Sequence, residues 1–281
     1  MDAIILINKP KGMTSFDAVS RVRRICHERK TGHTGTLDPN ASGLLIILLG
    51  RYTKFIPYCI SNHKRYHAEF QMGKLTDTQD IWGQVIKESV PKQIYEEEKL
   101  EEACVPFRGT ISQIPPMYSA LKKDGKRLYE LAREGIEVER KPRQAEISHL
   151  EVHHLHDDFY EMNAEVSSGT YIRTLIQDYA SSLGEYATMT SLVRTGIENL
   201  DLSQAVTFEQ LENGEGMVDP FQVLDPEWKV METDQETDVR NGKRIVLQTD
   251  HDQVILVHNG AILAAYRREN GNQFKCVRGL F

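Results

Sequence analysis

Apolar positions along this chain change period several times, and each change marks an element. Ile4 to Ile7 is a short continuous apolar run, followed by the turn formers Asn8, Pro10 and Gly12, which predicts a buried strand and a turn. Thr14 or Ser15 then caps a helix whose stripe is Phe16, Val19, Val22 and Cys26, with Arg21, Arg24, Arg29 and Lys30 on its outer side. Leu44 to Leu49 is uninterrupted Leu and Ile and predicts a fully buried strand. From Tyr66 to Met72 the pattern switches to alternation, with Tyr66, Ala68, Phe70 and Met72 facing one way, as in a half-buried strand.

Further on, residues 92 to 104 read as an acidic surface helix and Arg108 to Ile114 as a strand. Ile147 to His154 and Tyr160 to Val166 read as paired strands, and Thr170 to Leu183 as a helix with Ile172, Leu175, Ile176 and Tyr179 on one side. Arg173 falls off that stripe in the first turn, where the helix dipole disfavours a cation, so a partner carboxylate is expected to hold it. Val254 to His258 and Ile262 to Tyr266 flank Asn259-Gly260, a strong two-residue hairpin signal. The pattern predicts an α+β fold, and the architecture expected is a mixed, largely antiparallel sheet flanked by helices, with a central cleft as the place for a functional site. Asp225-Pro226 marks a boundary, giving a larger domain over residues 1–225 and a small β-rich one over 226–281.

Composition narrows the class. A chain of 281 residues with 40% hydrophobic content can bury a large core. Its longest apolar run, Leu44 to Leu49, is far short of the roughly 20 residues a membrane span needs, and Ile4 to Ile7 is too short for a signal-peptide core. Cys26, Cys59, Cys104 and Cys276 lie far apart without paired spacing and read as reduced thiols of a cytoplasmic protein. The net charge of −7 conceals an asymmetry: residues 1–90 are net basic, while the acid surplus sits between 151 and 240. A polyanion responds to the field within about a Debye length, ~8 Å, so a basic face can coexist with an acidic total.

Chemistry concentrates in Gly32-His33-Thr34-Gly35-Thr36-Leu37-Asp38-Pro39-Asn40-Ala41-Ser42-Gly43, a glycine-punctuated loop that holds one carboxylate between two ordered elements. It lacks the Gly-Lys-Ser/Thr ending of a P-loop, the Gly-x-Gly-x-x-Gly spacing of a dinucleotide site and the oxygen ladder of an EF-hand. Between Pro115 and Pro142, Tyr118, Lys122, Lys123, Lys126, Arg127, Tyr129, Arg140 and Lys141 interleave cations with rings. That composition suits looped RNA, where cations neutralise phosphates and rings stack on bases, and it equally suits a solvated helical hairpin. His153-His154-Leu155-His156-Asp157 is the one candidate for a metal cluster.

The loop around Asp38 resembles the catalytic motif of bacterial TruB-type tRNA pseudouridine-55 synthases. Asn8-Lys9-Pro10-Lys11-Gly12-Met13-Thr14-Ser15 is similar to that family's amino-terminal motif. Lys64-Arg65-Tyr66, Gly73 to Asp80, Pro115 to Lys122 and Ser168 to Leu175 match in order, so the resemblance spans most of residues 4–200. It implies an isomerase that breaks the N1–C1′ bond of a uridine, turns the freed uracil and rejoins it through C5. It further implies Asp38 as the essential carboxylate, Arg173 as its ion-pair partner and Tyr66 as stacking platform and proton carrier.

By the same resemblance Tyr171 and Leu192 line the uracil pocket and His33 takes the space the base vacates. Asp80 is an acidic neighbour of the site, and Lys9, Lys122 and Lys126 are substrate contacts. The segment 115–142 corresponds to a clasp that closes over RNA and is expected to be poorly ordered without it. Residues 226–281 correspond to a PUA-like RNA-binding module. No cofactor and no metal are implied. The expected partner is the T stem-loop of tRNA, engaged by a monomer without a guide RNA and without a membrane. Two other readings are a guide-dependent relative and a tRNA-folding helper with no essential chemistry.

Overall fold

A computed structural model describes every residue from Met1 to Phe281. In chain order the elements begin with β1 (Ala3–Lys9), α1 (Ser15–Ile25), β2 (Thr31–His33), β3 (Ser42–Leu49), β4 (His63–Met72), β5 (Lys74–Thr76) and β6 (Val85–Glu88). The middle of the chain forms α2 (Glu97–Cys104), β7 (Gly109–Gln113), β8 (Lys122–Lys123), β9 (Lys126–Arg127), α3 (Leu128–Arg133), β10 (Arg143–His156), β11 (Phe159–Ser167), α4 (Ile172–Ser182), β12 (Ala187–Ile197) and β13 (Leu200–Asp201). There follow α5 (Phe208–Glu212), β14 (Met217–Val218), β15 (Lys229–Glu232), α6 (Glu236–Arg240), β16 (Ile245–Val246), β17 (Gln253–His258), β18 (Ala261–Asn270) and β19 (Gln273–Gly279). The fold is α+β, built on a mixed ten-stranded sheet ordered β14-β1-β3-β12-β4-β11-β10-β7, with β2 on β3 and β13 on β12. No helix is long and apolar enough to cross a membrane.

The chain forms two compact units: Met1–Pro39, Leu44–Ser61 and Ser203–Phe281 make one, and Asn40–Gly43 with Asn62–Leu202 make the other. In the first, Ile5 and Ile7 of β1 pack with Leu45, Ile47 and Leu49 of β3, and Ala18, Val19 and Val22 of α1 cover them. Every residue from Leu44 to Leu49 is fully buried, as its unbroken apolar run requires. Thr14 caps α1 in a full capping box with Asp17. Phe16 departs from the expected stripe and is 74% exposed. At about 100° per residue it lies about a third of a turn from the buried line of Ser15, Ala18 and Val22.

The same unit holds a five-stranded sheet, β15-β17-β18-β19-β16, over residues 229–279. Val239, Leu256, Leu263, Tyr266 and Phe274 belong to its own core. Asn259 and Gly260 both have positive φ, 50° and 75°, so the β17–β18 turn has the backbone that Asn-Gly favours.

In the second unit β4 is the centre, antiparallel to β11 on one side and to β12 on the other. β10 continues the sheet beyond β11 and pairs with β7. Ile172, Leu175, Ile176 and Tyr179 of α4 are all buried. The acidic helix is shorter than its sequence suggests: α2 starts at Glu97, and Tyr95 before it is buried with its hydroxyl donating to Glu185 Oε1 at 3.0 Å. Ser42 and Gly43 run parallel to Val193 and Arg194. Gly43 has φ +111°, and a Cβ there would collide with the Arg194 carbonyl, so only glycine serves at this crossing.

Candidate active site

In the first unit the residues on either side of Asp38 are pinned. Leu37 is buried; its N–H donates to Ser15 Oγ (2.8 Å), and the Ser15 hydroxyl donates back to the Leu37 carbonyl (3.2 Å). The carbonyl of Pro39 accepts from the Gly12 N–H (3.0 Å) and from Lys9 Nζ (3.3 Å). Asp38 itself stays partly exposed between these fixed neighbours. This is the geometry of a loop built to hold a carboxylate in place while leaving it reachable.

Lys9 requires a correction. It is fully buried, and its ammonium donates to the carbonyls of Pro10 (3.0 Å), Met13 (2.8 Å) and Pro39. A buried cation bonded to three carbonyls frames the loop and cannot reach an RNA phosphate, so Lys9 is a positioning residue rather than a substrate contact. His33 closes β2 opposite Ile47 and is partly exposed.

In the second unit Arg173 is 5% exposed and acts as a staple. Its Nη1 donates to the Thr78 carbonyl (2.8 Å) and its Nη2 to the Tyr118 carbonyl (3.0 Å), and Asp80 Oδ2 lies 3.9 Å from Nη1. It thereby joins the β5–β6 turn to the start of the basic segment. Thr174 Oγ1 donates to Gln79 Oε1 (2.9 Å) and Gln79 Nε2 to Gln177 Oε1 (2.6 Å), which fixes that turn to α4. Tyr171 caps α4, held by a two-way bond between its backbone and the Gln113 amide (2.8 and 3.1 Å).

Tyr66 is half-buried. It faces Ala164 on β11 and Arg194 on β12, and the next same-face pair is Ala68 with Leu192. Directly opposed residues share a sheet face, so Leu192 lies diagonal to Tyr66, within reach of its ring. Leu192 is buried, as sequence alone suggests.

Two cations share this face, and sequence reasoning missed their burial. Arg194 is fully buried, and Lys64, on the same face of β4 as Tyr66, donates to Ser168 Oγ at 2.8 Å. Burial, and then the charge of Arg194, push the Lys64 ammonium down to about 8. Since the unfolded chain keeps its proton up to about 10.4, stability rises with pH between these values and the penalty is fully present below about 8. Lys64→Met removes this titration. Urea unfolding should show wild type gaining about 2 to 3 kcal/mol on the variant from pH 7.5 to 10.5; a constant difference would refute it.

Lys122 and Lys126 stand exposed on the β8–β9 hairpin, with Lys126 Nζ 3.5 Å from Glu134 and Lys123 Nζ donating to the Glu139 carbonyl (3.1 Å). Leu128 and Leu131 of α3 are buried behind them. The His153 to Asp157 cluster is otherwise engaged: His153 Nδ1 lies 2.7 Å from Glu97 and His154 Nε2 lies 3.0 Å from the Asp157 carbonyl. No three His, Cys, Asp or Glu side chains converge as a metal site. Burial pushes the Cys59 thiol up to about 12 and Cys104 to about 11, which makes both inert at neutral pH.

The first unit thus carries one partly exposed, loop-mounted carboxylate, and the second carries, on one sheet face, a half-buried tyrosine opposite the buried Arg194; no metal cluster is formed. Residues 23–172 match the model of the TruB family pseudouridylate synthase, N-terminal domain. A protein of Lactobacillus acidophilus named tRNA pseudouridine synthase B is 38% identical over 96% of this chain and 95% of its own length. One of the same name from Azoarcus is 44% identical over 80% of this chain and 76% of its own. Among solved structures, a chain from a Cbf5–Nop10–Gar1 complex covers 99% of this one, and 85% of its own length, with a TM-score of 0.69 at 20% identity, which speaks to the fold. The chain belongs to the TruB family of pseudouridylate synthases.

Proposed function

We propose that this chain converts the T-loop uridine at position 55 of tRNA to pseudouridine, with Asp38 as the carboxylate that acts at C1′. The observation that carries this reading is the loop itself. Leu37 and Pro39 are locked by Ser15, Gly12 and Lys9, while Asp38 remains partly exposed, so the acid is pre-positioned for chemistry at little further entropic cost.

The target base is stacked in folded RNA and is extruded for a few kcal/mol, recovered through contacts in the pocket. Tyr66 stacks on the uracil, with Tyr171 and Leu192 lining the pocket and His33 filling the place the base leaves. Asp38 stabilises or attacks the electron-poor C1′ as the N1–C1′ bond breaks. The uracil turns, C5 bonds to C1′, and the C5 proton departs while N1 gains one. Arg173 is the counter-cation that keeps Asp38 ionised in a site closed to water, and Asp80 helps set the arginine's orientation. No redox step occurs, so the chemistry calls for neither a metal nor a nucleotide. Lys122 and Lys126, carried on the 115–142 segment, close on RNA phosphates, and the 226–281 module adds a second RNA contact.

The relatives named tRNA pseudouridine synthase B favour tRNA as substrate. An isolated T stem-loop transcript, supplied without guide RNA, should be modified at the uridine corresponding to position 55. Modification only when a complementary guide is added would overturn the stand-alone reading. Tyr66→Phe should keep RNA affinity and lose about 10²-fold or more in single-turnover rate if its hydroxyl carries the proton; an unchanged rate would confine Tyr66 to stacking.

A further inference from the structure

The turn between β5 and β6 presents Ile81 and Trp82, each 49% exposed, and none of the chemistry above uses them. Exposed tryptophan is costly, and this one stands on a braced support. Asp77 N–H donates to the Gln84 carbonyl (3.0 Å) and Gln84 N–H to Asp77 Oδ1 (2.7 Å). The Asp80 carbonyl accepts from Thr76 Oγ1 (2.7 Å) and Gly83 N–H (3.2 Å), and Asp80 Oδ1 accepts from the Trp82 N–H (3.2 Å) and Thr78 Oγ1 (2.6 Å). Ile81 N–H donates to the Met189 carbonyl at 2.9 Å, and Gly83 lies too close to Thr78 and Asp77 to admit a side chain.

The turn is also tied to the functional residues. Arg173 holds the Thr78 carbonyl, and the Tyr118 hydroxyl, at the head of the basic segment, donates to Asp77 Oδ2 at 3.4 Å. One oxygen of each of its two carboxylates accepts from the turn's own donors, while Asp77 Oδ2 accepts from Tyr118 and Asp80 Oδ2 lies 3.9 Å from the Arg173 cation, so the acid here is engaged. An indole on a turn this fully hydrogen-bonded, joined through Tyr118 to the segment that carries Lys122, Lys123, Lys126 and Arg127, has the form of a stacking platform whose ordering cost is already met.

We infer that Trp82 stacks on an unpaired nucleobase of the RNA substrate adjacent to the extruded uridine, with Ile81 as the apolar edge of that platform. This rests on the reading of the chain as a tRNA isomerase. Extruding one base leaves its neighbours without a stacking partner, and an indole face accepts any of them. Trp82 then determines affinity and not the chemical step.

The chain has only two tryptophans, and the other, Trp228, is buried edge-on against Tyr58. Titration with an unmodified T stem-loop transcript should quench wild-type tryptophan emission with the Kd found by filter retention, and the quench should vanish in Trp82→Phe. Trp82→Ala should weaken RNA binding about tenfold, with Trp82→Phe restoring most of it and single-turnover rates at saturation unchanged in both. Unaltered emission at saturating RNA, together with full affinity in Trp82→Ala, would overturn the inference and leave the isomerase reading standing, as it would if the turn instead docks a protein. Failure of the folded wild type to bind the transcript at all would overturn both.

Discussion

Asp38→Ala should abolish pseudouridine formation, by about 10⁴-fold or more, while tRNA affinity stays within about twofold of wild type. The asymmetry follows from how the loop is made. Its backbone is tied by the Ser15 hydroxyl at Leu37 and by Gly12 and Lys9 at the Pro39 carbonyl. Truncating the Asp38 side chain deletes the group at C1′ and leaves these backbone ties available. Single-turnover assays, with filter retention for binding, separate the two effects, and residual isomerisation at even a hundredth of the wild-type rate would remove Asp38 from the centre of the mechanism. Lys9→Ala is the instructive contrast, because it attacks the frame and leaves the acid.

Arg173→Ala has the second-largest expected effect and a compound one. The variant forfeits the proposed counter-charge for Asp38, and it also leaves the Thr78 and Tyr118 carbonyls without their donor. An orphaned buried acceptor costs about 1 to 3 kcal/mol, so thermal unfolding should shift down while turnover falls about 10²-fold or more. Arg173→Lys separates the roles. It keeps the charge, but an ammonium cannot span two carbonyls as a planar fork does, so stability should recover in part and activity should remain well below wild type. Wild-type turnover in Arg173→Lys would show that only the charge matters, and wild-type turnover in Arg173→Ala would contradict the ion-pair assignment.

Local elements were legible wherever one period dominated. The unbroken Leu44 to Leu49 run, the alternation of Ala68, Phe70 and Met72, and the Asn259-Gly260 turn each form as their patterns require, because burial on two faces, burial on one face and positive φ leave distinct marks. Phe16 shows the limit: near the start of a helix, one apolar residue off the stripe cannot be told from one on it. β10 is longer than its apolar alternation suggests, because residues 143–146 are held by pairing with β7 and His156 by β11 beyond an irregular register that breaks the period. Sheet order was not legible at all. That β12 lies between β3 and β4, parallel to one and antiparallel to the other, follows from long-range packing and from a glycine at residue 43 that admits the Arg194 backbone.

The candidate site divides the same way. Ordered motifs pointed to Asp38, Tyr66 and Arg173, but the roles of their supports are three-dimensional facts. Lys9 reads in sequence as a substrate contact, and only burial among three carbonyls makes it part of the loop. Ser15 reads as a helix cap, a place taken by Thr14, and works instead as the two-way tie to Leu37. Arg194 carries no sequence signal that separates it from a solvated arginine, yet it is among the most deeply buried side chains of the protein.

The most direct test of the account is to incubate the purified chain with an unmodified full-length tRNA transcript, adding no metal, nucleotide or guide, and to map pseudouridine at single-nucleotide resolution. Wild type should produce one new pseudouridine, at the T-loop uridine, and Asp38→Ala none. A transcript left unmodified by folded protein that binds it, or modified equally by the Asp38→Ala variant, would contradict it.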